Sequence, residues 1–126
     1  EAAAREALGF VNLEDRAAAP ASTLPHGDQR LLEIAMALAQ EPELLLLDEP
    51  TQGLASEETA ATAALVRRIS RERRVTILLV EHDMDVVFNV ADRISVLHFG
   101  GLIAEGSPAE IRRNVEVQKA YLGGAD

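Results

Sequence analysis

Hydrophobic and polar positions follow two spacings along the chain, and the switches between them mark out its elements. Leu44 to Leu47 is an unbroken run of leucines between Pro42 and an acidic turn, which predicts a short strand buried on both faces, as in the middle of a parallel sheet. Val75 to Val80 predicts a second strand of the same kind. Between them, Ser56 is placed to cap a helix running to about Arg71. Glu57 and Glu58 fall in its first turn and Arg67, Arg68 and Arg71 in its last, matching the helix dipole at both ends. Two strands joined by a long helix are expected to lie parallel with a right-handed crossover, so that both carboxyl ends share one edge of the sheet.

The helical period also appears upstream. In Leu24 to Gln40 the positions Leu31, Ile34, Ala35, Leu38 and Ala39 line one face, widened by Leu32 and Met36, and predict a mostly buried helix with Asp28 in its first turn. Residues 1–10 read as a helix with no capping residue before it, and Val11 to Leu24 as a connection without a period. Downstream, Asp83 is a cap for a helix whose apolar face is Met84, Val87, Phe88 and Ala91. Arg93 to Phe99 then gives a third strand, Gly100-Gly101 a hairpin turn, and Leu102 to Ala104 a returning strand. Ser107 to Glu110 is a capping box with Pro108 at the first helical position. A last helix from about Val115 to Leu122 stops at Gly123-Gly124, with Val117 and Tyr121 as packing residues.

Composition narrows the function classes. A chain of 126 residues that is 48% hydrophobic has material for one sizeable core, and 3% aromatics make that core aliphatic. The absence of cysteine excludes a disulfide scaffold, a thiolate metal site and a cysteine nucleophile. No apolar run approaches the roughly 20 residues that span a bilayer, and no signal peptide opens the chain, so the expectation is a soluble, cytosolic protein. A net charge of -9 argues against nucleic acid as a partner. The arginines from Arg67 to Arg74 are more simply a solvated helix end than a patch for nucleic acid or lipid.

The chemistry concentrates at the strand ends. Ligands of open α/β sheets bind just beyond the carboxyl ends of the strands, where Asp48 and Glu49 follow the leucine run and Glu81 and His82 follow VTILLV. A hard cation such as Mg²⁺ needs only one or two carboxylates plus phosphate oxygens, and a neighbouring carboxylate can orient or deprotonate a water. His82 is a candidate to contact a phosphate or orient a water, the alternative being a structural histidine; His98, inside a strand, is read as structural. The helix start near Gly27 presents free N–H groups, although most helix starts bind only water.

The run LPHGDQRLLEIAMALAQEPELLLLDEPTQGL, followed by EHD and then by GLIAEGSPAEIRRNVEVQKAYLG, resembles the signature-to-switch region and tail of ABC-type ATPases. It is most similar to the ATP-binding subunits of branched-chain amino-acid and urea importers. The resemblance implies an α/β fold: the C-terminal part of a P-loop NTPase core with parallel strands, part of the helical subdomain, and a C-terminal hairpin plus helices. It divides the chain into residues 1–41, within the helical subdomain, and 42–126, the C-terminal half of the core with its tail. It implies ATP and Mg²⁺ as cofactors, Asp48 as metal ligand, Glu49 as catalytic base and His82 as the γ-phosphate contact. Leu24, Pro25, His26, Gly27, Asp28 and Gln29 would form the signature that closes on ATP held by a second ATP-binding subunit. Gln52 to Ala55 would be the turn linking the two sites of that dimer.

The implied partners are that second subunit, as a homo- or heterodimer, transmembrane permease subunits and, indirectly, a solute-binding protein. The implied location is the cytoplasmic face of the membrane. Two other readings are a lipopolysaccharide-export ATPase and a non-catalytic interaction module. Where the family has LSGGQ, this chain has Pro25 for serine, His26 for the first glycine and Asp28 for glutamine, and Ala55 stands where the linking turn often has aspartate. The chain contains no GxxxxGK[ST] loop, and its one lysine is Lys119, so by itself it is expected to be inactive.

Overall fold

A computed structural model describes residues 1–123 and divides into two compact units, Glu1–Val80 and Glu81 onward. The first contains α1 (Ala2–Phe10), α2 (His26–Leu38), β1 (Leu44–Asp48), α3 (Ser56–Glu72) and β2 (Thr76–Val80). The connection between α1 and α2, expected to be irregular, holds two single 3-10 turns at Glu14–Arg16 and Ala21–Thr23. β1 and β2 are parallel, with Leu44 opposite Thr76 and Asp48 opposite Val80, so their carboxyl ends are level.

The core of this unit joins Ala7 and Val11 from the α1 region, Ile34, Ala35 and Leu38 from α2, Leu45 from β1, and Leu65 and Ile69 from α3. It is aliphatic, as the composition requires. The strands depart from the expectation of burial on both faces: Leu45 is 5% exposed but Leu46 is 64% exposed, and Leu44, Leu78 and Val80 are likewise open. Alternate residues of a strand point to opposite faces. The helical core covers the face of Leu45, Leu47 and Ile77 and leaves the other open.

α3 begins one residue earlier than a Ser56 cap would have it, because Ala55 is the N-cap and Ser56 the first helical residue. Alanine has no acceptor to offer. The cap is instead supplied backwards, by Glu58 Oε1 accepting the Ala55 N–H at 3.4 Å. At the other end of α3 two arginines, Arg68 and Arg73, make contacts within this unit. Arg73 pairs with Glu6 of α1 at 2.7 Å, Arg68 with Glu72 at 3.3 Å, and the Arg68 guanidinium lies 4.4 Å from the centre of the Phe10 ring.

The second unit contains α4 (Met84–Val90), β3 (Ile94–His98), β4 (Gly101–Gly106), α5 (Pro108–Arg113) and α6 (Val115–Tyr121). Asp83 caps α4 as its position predicts, accepting from the N–H groups of Asp85 and Val86. Val87, Phe88 and Ala91 pack on this unit's core as expected, but Val86 is the residue of α4 that is buried. β3 and β4 form an antiparallel hairpin with His98 opposite Gly101. The turn is therefore Phe99-Gly100, one residue before the glycine pair, and both residues have positive φ (50° and 78°), as a tight hairpin turn demands.

The capping box at Ser107 forms in both directions, with Glu110 N–H donating to Ser107 Oγ and Ser107 N–H to Glu110 Oε1. Asn114 caps α6. Val117 is fully buried, and the Tyr121 hydroxyl donates to the Leu97 carbonyl. His98 is a packing residue, its ring against Phe99 and Tyr121. α6 ends before Gly123, while Gly124 lies outside the described residues. No helix among the described residues is long and apolar enough to cross a membrane.

Candidate functional site

β1 delivers two carboxylates to the edge of the sheet. Asp48 is its last residue, exposed and opposite Val80, and Glu49 is the first beyond it. The Glu49 N–H donates to the Val80 carbonyl at 2.7 Å, tying the end of β1 to the end of β2. Its φ is 46°, in the left-handed region that a residue with a long side chain seldom occupies. Such backbone persists only where its surroundings impose it, and it concentrates at functional sites. Here the strand-end hydrogen bond on one side imposes it, and on the other a turn in which Gln52 N–H donates to the Glu49 carbonyl at 3.1 Å. Pro50 and Thr51, the central residues of that turn, are buried. Sequence reading located Glu49 but not its strain, which arises from a pairing between residues distant in the chain.

Among the described residues no group of three or more histidine, aspartate or glutamate side chains is disposed to hold a metal ion. Asp48 is exposed and offers a single carboxylate at the strand end. That suits Mg²⁺, which keeps several waters and asks one or two carboxylates of the protein.

Residues 24–29 surround the start of α2. Pro25 is the N-cap, not the first helical residue, and its carbonyl accepts the Gln29 N–H at 2.9 Å. Helix geometry leaves the N–H groups of His26, Gly27 and Asp28 without intrahelical acceptors. Leu24 is buried, and Gln29 Nε2 donates back to the Leu24 carbonyl at 2.9 Å, so these two residues brace the turn. Gly27 is buried.

α2 begins beside the turn that leaves the carboxylates. Arg30 donates to the Gln52 carbonyl at 3.4 Å, and the His26 imidazole reaches 3.4 Å from where a Cβ on Gly53 would stand. Gly53 itself has φ of 78°, a conformation that favours glycine. Asp48, Glu49 and the 24–29 segment thus belong to one compact unit. Glu81 and His82 follow β2 directly in the chain and belong to the second unit, where the Asp83 N–H lies 3.5 Å from Glu81 Oε2 and His82 is exposed.

Residues 1–52 match the ABC transporter family model, and residues 102–126 match that of the branched-chain amino acid ATP-binding cassette transporter. The chain is 46% identical over 118 residues to the high-affinity branched-chain amino acid transport ATP-binding protein BraF of Pseudomonas aeruginosa, covering 94% of this chain and 46% of that protein. It is 44% identical over 118 residues to the corresponding LivG of Escherichia coli, with the same coverages.

Among solved structures, the ADP conformation of MJ1267, an ATP-binding cassette of an ABC transporter, superposes with a TM-score of 0.84. It shares 29% identity, over 96% of this chain and 49% of that one. The cbiO1 protein of Clostridium perfringens, part of the transporter complex cbiONQ, gives 0.83 at 30% identity over 94% of this chain and 47% of that one. The chain spans about half the length of the relatives it matches.

Proposed function

We propose that the chain, which ABC transporter family models match at residues 1–52 and 102–126, is the C-terminal portion of the ATP-binding and hydrolysing subunit of a branched-chain amino-acid importer. The observation that carries the ATPase reading is the pair Asp48 and Glu49 at the carboxyl end of a parallel strand, with the strained Glu49 backbone fixed to the end of β2. The tail favours branched-chain amino acids over urea or lipopolysaccharide export, because residues 102–126 match a branched-chain family model and the similar curated proteins include BraF and LivG. In this reading residues 1–41 are part of the helical subdomain and 42–126 the second half of the core. The reading requires a phosphate-binding loop outside these 126 residues, which contain no GxxxxGK[ST] sequence.

The roles follow from the chemistry of each residue. Asp48 is a ligand for Mg²⁺, which when bound neutralises charge on the β- and γ-phosphates. Glu49 accepts the proton of the attacking water, and His82 donates to a γ-phosphate oxygen. The N–H groups of His26, Gly27 and Asp28 face ATP held by a second subunit, where the start of a helix favours an anion. Closure of that dimer around ATP drives permease subunits in the membrane, with a solute-binding protein delivering the cargo on the far side.

Two measurements on the full-length protein examine this division of labour. Asp48→Asn removes one charge from the metal's ligand set, so half-maximal hydrolysis is expected to need at least about ten-fold more Mg²⁺, with a lower maximal rate. An unchanged magnesium dependence of steady-state turnover would remove Asp48 from the metal site. Pro25→Ser restores a hydroxyl and an N–H where proline offers neither. A hydrogen bond to a charged group is worth about 1.5–3 kcal/mol, so ATP-dependent dimerisation should strengthen by roughly ten-fold or more. Hydrolysis should rise with it and the melting temperature stay nearly constant. Unchanged dimerisation and turnover would mean that His26, Gly27 and Asp28 carry the phosphate contact unaided.

A further inference from the structure

Gly27 is buried, and the atom above it belongs to Glu58. A Cβ added at Gly27 would overlap Glu58 Oε2 outright and lie 3.0 Å from Glu58 Cδ. The other oxygen of the same carboxylate, Oε1, accepts the Ala55 N–H at 3.4 Å. One side chain therefore touches the first turn of α2 with one oxygen and caps the turn leaving Asp48 and Glu49 with the other. No substitute is at hand at the cap, since Ala55 has no side-chain acceptor of its own.

We propose that Glu58 is a positioning residue, holding the Gln52–Ala55 turn against the first turn of α2, and that position 27 is glycine because a side chain there would expel the Glu58 carboxylate. The proposal rests on the ATPase reading for its consequence, but the contact itself stands on geometry alone. Arg30 on Gln52 and His26 beside Gly53 join the same two segments, but neither contact caps the start of α3. Glu58 is thus one of three side chains between the two segments, and the one that also ties their spacing to the start of α3. A shift of either segment displaces the groups meant to meet ATP from their productive geometry.

The test is a double-mutant cycle in the full-length protein with two readouts. The first is the chemical shift of the Ala55 amide proton without nucleotide, which reports the cap and does not depend on ATP. Glu58→Ala and Gly27→Ala should each move it upfield, and Gly27→Ala combined with Glu58→Ala should move it no further, because both changes remove the same hydrogen bond. Glu58→Gln, which can still accept that bond, should leave it close to wild type.

The second readout is ATP-dependent dimerisation. Glu58→Ala should weaken it roughly three- to ten-fold while ATP binding to the monomer is unchanged, Glu58→Gln should restore most of the loss, and the double variant should match Gly27→Ala. Additive shifts in either readout would overturn the explanation of Gly27. Wild-type dimerisation by Glu58→Ala would overturn the positioning role. If the wild-type protein shows no ATP response at all, the ATPase reading and the positioning role fail together, and the amide shifts still decide whether the carboxylate explains Gly27.

Discussion

Replacing Glu49 by glutamine in the full-length protein is expected to slow ATP hydrolysis by about 10²–10⁴-fold, the range that a positioned general base contributes. The amide keeps the shape of the carboxylate and its capacity to accept a hydrogen bond, but it cannot take the proton of the attacking water. The Glu49 N–H bond to Val80 and the left-handed turn are backbone features and survive the change. ATP affinity, measured at equilibrium, should therefore remain within a few-fold of wild type while the single-turnover rate collapses. That pattern, loss of rate without loss of binding, marks an interaction made only in the transition state. Turnover within a few-fold of wild type would reassign the base.

The 126-residue chain by itself is expected to show no magnesium-dependent ATP turnover and no ATP binding in the micromolar range. Phosphoryl transfer depends almost wholly on positioning and charge stabilisation, and the backbone loop and lysine that cradle the β- and γ-phosphates are its centre. This chain has no GxxxxGK[ST] sequence, and Lys119 sits in α6, the last helix of the second unit. Asp48 and Glu49 are proposed to supply a metal ligand and a base, but without that loop the β- and γ-phosphates are not held against them. Isothermal titration with ATP and Mg²⁺, together with a phosphate-release assay on rigorously purified chain, measures both quantities. Micromolar affinity, or turnover that depends on Glu49, would show that the site is more nearly complete than the motifs indicate.

Much of the architecture was legible in the spacing of residues. The leucine run and VTILLV became parallel neighbours with level ends, which is what put Asp48 and Glu49 at the edge of the sheet. Side-chain caps with an unambiguous acceptor, Asp83 and Ser107, form where the sequence places them because their hydrogen bonds are local. The departures share a physical cause: each depends on which of two local solutions the surrounding structure selects. Ser56 was a better cap than Ala55 on propensity, yet Glu58 reaching backwards fixed the start of α3 one residue earlier. The hairpin turned at Phe99-Gly100 because the strand register, not the glycine pair, chose the residues with positive φ. An apolar strand reads the same whether one face or both are covered, so the exposure of Leu46 and Leu78 was invisible in the sequence. At the site, the position of Asp48 and Glu49 at the strand end was legible. The strain at Glu49 and the Gly27–Glu58 contact come from long-range packing and were not.

The most direct test of the central claim, that Glu49 is the base of an ATP site completed by α2 of a second subunit, is sedimentation velocity on the full-length Glu49→Gln protein with and without ATP and Mg²⁺. The expected result is a shift from monomer to dimer with ATP that persists because the nucleotide is not consumed, and that is abolished when ADP replaces ATP. A protein that remains monomeric with ATP bound, or that dimerises equally with ADP, would contradict it.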